Sequence, residues 1–165
     1  MKRSLMILLS ILFLCLGSKA FALRIAYIDM SEIFDQYDGT KEAKESLKAE
    51  ALKRRKELEG QQEDIQKQIE DLKAQKSVLS STKYKEKEDK LKGQVQVLQE
   101  QIQSVQEDLG QKEKKKTKAI LDEIRGIVKE LAEEEKYDYI LEKNALVAGG
   151  DDVTYKVLKL LNKKK

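Results

Sequence analysis

The sequence has no histidine, proline or tryptophan and a single cysteine. Lack of His removes the commonest general base, proton shuttle and metal ligand. One Cys can form neither an internal disulfide nor a cysteine-rich zinc site. Aromatic residues are also scarce, with six Tyr and three Phe in 165 residues. What the chain does have is charge, 38% of it, together with Gln and Leu, a composition that favours long helices. The length allows one ordinary domain, yet so little aromatic material cannot fill a large core.

The first 22 residues read as a removable leader. Lys2 and Arg3 form a positive start, residues 5–16 an apolar stretch, and Ala20, Phe21 and Ala22 a small-x-small cleavage site, the three parts of a secretory signal peptide. The apolar stretch is short of the roughly 20 residues that span a bilayer, and Leu14 before Cys15 is too large for a lipidation site. Without Lys2, Arg3 and Lys19 the mature chain has 30 basic against 30 acidic side chains, so the whole-chain excess of +3 belongs to the leader. A neutral, exported chain is a poor nucleic-acid binder. The mature part is also free of cysteine.

Tyr27, Phe34 and Tyr37 lie near the start of the mature chain, and Tyr137, Tyr139 and Tyr155 near its end, with only Tyr84 between. The economical reading is one small head built from both ends, residues 23–40 and 137–165, with residues 41–136 projecting as a helical hairpin. The fold class expected is mostly α with a small β head (α+β), carrying a long antiparallel coiled-coil-like hairpin. Residues 23–28 read as a strand. Asp29 and Glu32 have capping-box spacing ahead of Ile33 and Phe34. Residues 137–141 and 145–148 read as two more strands, joined through Lys143 and Asn144 in a hairpin-like turn. Asp151 or Asp152 then caps a last helix with Val153, Val157, Leu160 and Leu161 on one face.

In the outgoing half of the middle, Ala51, Leu58, Ile65, Leu72 and Leu79 recur every seven residues, with a mostly polar companion row. In the returning half, Leu91, Val95, Leu98, Ile102, Val105 and Leu109 alternate spacings of four and three, an a/d seam. The turn falls near residues 77–82, where Ser80, Ser81 and Thr82 interrupt the helix. Gly60, Gly93, Gly110 and Gly126, and a seam that lapses over residues 112–118, predict arms that bend. Charge is regional as well. Residues 73–92 hold seven Lys, Lys73, Lys76, Lys83, Lys85 and Lys87 among them, against Glu86, Glu88 and Asp89. Such a basic tip suits contact with an anionic membrane surface or with acidic partners, although a charge run is more often a solvated helix end.

The run Ile25-Ala-Tyr-Ile-Asp-Met-Ser-Glu-Ile-Phe34 after a leader, with Tyr137-Asp-Tyr-Ile-Leu and Asp152-Val-Thr at the other end, resembles the OmpH/Skp family of periplasmic chaperones. The resemblance implies a homotrimer whose heads associate through β-strands and whose hairpins surround a cavity holding unfolded outer-membrane proteins without ATP. It implies a head core and trimer interface from Ile25, Tyr27, Ile28, Phe34, Ile140, Leu141, Val147, Val157 and Leu161. Client contacts would come from the arm seam, Leu58, Ile65, Leu72, Leu91, Val95, Leu98, Ile102, Val105 and Leu109. The best-known member of that family is strongly basic whereas this mature chain is neutral, which weakens the case for electrostatic client capture and for lipopolysaccharide binding. An envelope adaptor binding a folded partner is the alternative role. No enzyme is expected, because no catalytic constellation is visible on repetitive helices; nor is any cofactor or metal.

Overall fold

The computed structural model describes residues 23–164, and the leader reading lies outside them. Strand β1 (Ile25–Ile28) leads into helix α1 (Met30–Gln36), long helix α2 (Asp38–Ala74) and a 3-10 turn (Gln75–Ser77). Helix α3 (Ser81–Glu135) returns to strand β2 (Tyr139–Glu142), and strand β3 (Asp151–Asp152) and helix α4 (Thr154–Lys163) complete the chain. The fold is the expected one: mostly helical, with a small sheet and one long hairpin.

Local chemistry sets the boundaries. Asp29 caps α1, its side chain accepting from the Glu32 N–H at 3.0 Å. Only Tyr37, in an extended conformation, separates α1 from α2. Gly39 leaves room beside it, because a Cβ there would lie 2.4 Å from the Tyr37 ring and displace it. Ser80 caps α3, and Lys136 ends it in the left-handed conformation at φ 56°. The turn between the arms therefore falls at residues 75–80. At 1.5 Å per residue the 37 residues of α2 extend about 55 Å.

The sheet corrects the sequence reading. Its order is β2-β1-β3, and both outer strands run parallel to β1. The expected hairpin over residues 137–148 does not form, because a two-residue turn joins only antiparallel neighbours. The chain instead leaves β2 through a 3-10 turn, Lys143–Ala145, and comes back to the start of β3. Gly149 and Gly150, both at φ +86°, make that return possible. Residues 145–148 are thus loop rather than strand, and Val147, expected in the head core, is fully exposed.

The core lies where the three parts meet. Ala26 and Ile28 of β1, Ile33 of α1, and Val153, Val157, Leu158 and Leu161 at the C-terminus are buried together. Ile120, Ile124, Ile127 and Leu131 of α3 join them. The last third of α3 therefore belongs to the head, although the sequence reading placed it in the arm. Its length explains this: 55 residues facing a 37-residue partner leave an end that must find other apolar surface.

Candidate functional site

Two surfaces are candidates for function, the sheet face of the head and the arms. Both depend on the ends being locked together. The Arg24 backbone N–H donates to Asp138 Oδ2 at 2.7 Å, and the Asp138 N–H donates back to the Arg24 carbonyl at 2.9 Å. The Arg24 guanidinium also donates to the Glu135 carbonyl and lies 4.6 Å from the Tyr137 ring centroid. The Asp29 N–H donates to Thr154 Oγ1 at 2.9 Å, and Lys143 Nζ lies 3.1 Å from Asp29 Oδ2. The Glu32 backbone N–H and then Lys143 hold the Asp29 carboxyl below its usual range. Residues more than a hundred positions apart thus share hydrogen bonds.

Tyr37 fixes the base of the arms. It is buried, and burial, then a hydrogen bond to Glu123 and the nearby charges of Glu123, Glu42 and Asp38, push its hydroxyl up to about 12. Lys112 ties the arms further out, 2.5 Å from Glu50 and 2.8 Å from Asp108. Asp108 and then Glu50 raise its pKa.

The sheet has unequal faces. Ala26 and Ile28 turn into the core, and Ile140 packs against it. Ile25 and Tyr27 turn the other way, in register with Tyr139 and Leu141. That second face is only partly covered: Tyr139 is exposed, and Ile25, Tyr27 and Leu141 are half-buried. Phe34 is likewise half-buried, with Lys44 Nζ 5.6 Å from its ring, whereas its neighbour Ile33 has no exposed surface.

The arms carry a narrow seam. Leu72, Leu91 and Leu98 are buried. Leu58, Ile65, Val95, Ile102, Val105 and Leu109 are half-buried. None of these nine is exposed, so their apolar surface serves the partner helix before any other molecule. Leu52 and Val97, by contrast, are about half exposed. Open hollows separate the arms near the tip; one, of about 440 Å³, is bordered by Ile65, Gln94 and Leu98.

Residues 24–161 match the family described as outer membrane protein (OmpH-like). The chain belongs to the OmpH-like family. Its fold is similar to the crystal structure of a Caulobacter crescentus protein assigned as an OmpH-like outer membrane chaperone. The TM-score is 0.80 at 17% identity, over 90% of each chain. No curated protein matches significantly.

In this OmpH-like chain the five tip lysines, Lys73, Lys76, Lys83, Lys85 and Lys87, are all exposed around the turn. Lys87 reaches Gln75 Oε1 at 3.0 Å. Among the described residues no group of three or more His, Cys, Asp or Glu could hold a metal ion, and no helix is long and apolar enough to cross a membrane. The sequence reading missed Ile120, Ile124, Ile127 and Leu131, whose four-three-four spacing resumes the a/d pattern after the lapse at 112–118. It also missed Ile33, whose signal was masked by the larger Phe34 beside it.

Proposed function

We propose that this protein is a periplasmic, ATP-independent holdase that binds unfolded outer-membrane proteins and keeps them from aggregating. The observation that carries the proposal is the contrast between a firmly locked head and long arms joined by a thin seam. Unfolded barrel strands expose unpaired edges and alternating apolar faces that aggregate in water. Holding them takes many weak, adjustable contacts rather than a deep pocket. Arms with three buried seam residues and with exposed Leu52 and Val97 among charged side chains supply such contacts. Membership of the OmpH-like family and the likeness to an OmpH-like outer membrane chaperone support the same reading.

The working unit in this proposal is a homotrimer joined at the heads, exported by the leader at residues 1–22. The half-covered face of Ile25, Tyr27, Tyr139 and Leu141 is apolar surface for such a contact. The head then comprises residues 23–40 and 137–165 with the last third of α3, and the rest is arm. Three arm pairs around one client raise the local concentration of weak sites. The basic tip is available to an anionic membrane surface. Neither nucleic acid, a cofactor nor catalysis has a part in this role.

Light scattering of an unfolded outer-membrane barrel protein, diluted from denaturant with and without the mature chain, tests the holdase. Suppression at one trimer per client is expected, and full aggregation at that ratio overturns the proposal. Sedimentation equilibrium tests the trimer, for which a monomer mass at micromolar concentration is the contrary result.

A further inference from the structure

Near the tip, Leu72 of α2 and Leu91 of α3 border two hollows on opposite sides of the hairpin. The hollows differ in chemistry. One, of about 240 Å³, is completed by Gln68, Asp71, Gln75, Lys87 and Lys90. The other, of about 300 Å³, is completed by Ile69, Tyr84 and Val95, giving five apolar walls with the two leucines. At one level of the arm, then, one side is polar and the other apolar.

The rim of the apolar groove is charged. Glu88 is occupied by Lys92, 3.4 Å away, and Lys92 also lies 3.8 Å from Asp89. Lys73, on the same rim, makes no ion pair among the described residues and is exposed. The groove is at the small end of the range for ligand pockets, which suits one or two side chains rather than a cofactor. We propose that it takes one aromatic or branched aliphatic side chain of an extended polypeptide that carries an acidic residue two positions away. The acid meets Lys73, and the apolar group enters between Tyr84 and Val95. Extended segments alternate their side chains, so the residue two positions from the buried one shares its face and stands on the rim. This site rests on the holdase reading and gives it a sequence preference: apolar residues with an acid two positions away ahead of those with a base there.

The test uses the full mature chain and a short fluorescent peptide with one Phe, an Asp two positions to either side and Ser elsewhere, beside a twin with Lys in place of Asp. The Asp-flanked peptide is expected to bind more tightly. Tyr84→Ser should weaken it about tenfold, the effect of removing a buried aromatic contact. Because Tyr84 also packs within the arm, helicity is compared by circular dichroism, and the exposed Lys73→Glu supplies an independent measurement. K73E should weaken the Asp-flanked peptide about threefold and strengthen the Lys-flanked one. K90E, on the polar side, should alter neither. Equal effects of K73E and K90E overturn the site, as does unchanged binding by Y84S. Vesicles of equal phosphatidylglycerol and phosphatidylcholine provide the remaining arm. Vesicle binding that Y84S abolishes, with no peptide binding, makes this a lipid groove and overturns the proposal. Aggregation suppression is measured on the same proteins. Wild-type suppression with no effect of either groove variant on peptide binding removes the groove and leaves the holdase. Groove-dependent peptide binding without suppression does the reverse.

Discussion

Helix α3 passes through both regions of this molecule, and they hold it differently. At its C-terminal end Ile124 and Leu131 are almost completely enclosed, with α1, α4 and the sheet around them. Along the arm, the same helix meets only α2, and Leu91 and Leu98 each retain 8% exposure. The head end is richer in apolar residues, with Ile120, Leu121, Ile124, Ile127, Val128 and Leu131 close together, and more elements surround it. Enclosure from several directions produces a packed core, whereas contact along one stripe leaves helices whose stability depends on a narrow seam. A rigid base with compliant arms follows from that difference.

The strongest way to break the comparison is to charge the head. Ile33→Asp places an unpaired carboxylate at a position with no exposed surface and should cost about 4 kcal/mol or more. Phe34→Asp should cost clearly less, since Phe34 is half-buried and Lys44 is close by. Thermal melts followed by circular dichroism compare the two, and equal losses would mean that Phe34 is buried in solution by something else. Next in size are truncations on the shared helix. Leu131→Ala should cost about 3 kcal/mol and Leu98→Ala about 1–2 kcal/mol, because the open seam can close around the smaller residue. Equal values from urea unfolding would show that the arm is packed as tightly as the head.

A pH measurement sharpens the comparison at the junction. The Tyr37 hydroxyl titrates near 12 in the folded chain instead of near 10. Between those values the unfolded chain has released the proton and the folded chain has kept it, so stability falls as pH rises. The loss should be about 1–2 kcal/mol. Tyr37→Phe should remove that part of the dependence, and an identical slope in the variant would place Tyr37 in solvent. The smallest effect is expected at the Lys112–Glu50 pair. Both partners keep about a third of their side-chain surface exposed, so Lys112→Met should lower Tm by only about 1–2 °C. A much larger drop would make this pair, rather than the leucine seam, the main fastening of the arms.

Much of this architecture was legible in the residues. Alternating four- and three-residue spacing from Leu91 to Leu109 announced the returning helix, and none of those six side chains is exposed. Asp29 and the group Ser80, Ser81 and Thr82 marked helix starts, and Ser80 is the one that caps, because a short oxygen-bearing side chain satisfies a free backbone N–H where the helix begins. The aromatics at the two ends pointed to a shared head. Strand direction was not legible. Residues 145–148 look like a strand by composition, yet Val147 faces solvent and the acidic pair Asp151–Asp152 pairs with β1 instead. The arm grooves were equally hidden, since a periodic seam does not report how closely two helices approach.

The amino-acid order by itself determined the local elements: where helices start and stop, which stripe of each is apolar, and that charge gathers around the turn. These depend on neighbours within a few positions, and periodicity records them directly. Only the tertiary structure decided that β2 and β3 lie on either side of β1 in the same direction, that the end of α3 serves the head, and that Ile33 rather than Phe34 lies at its centre. Those outcomes depend on which surfaces remain uncovered after distant segments meet, and no local pattern carries that information.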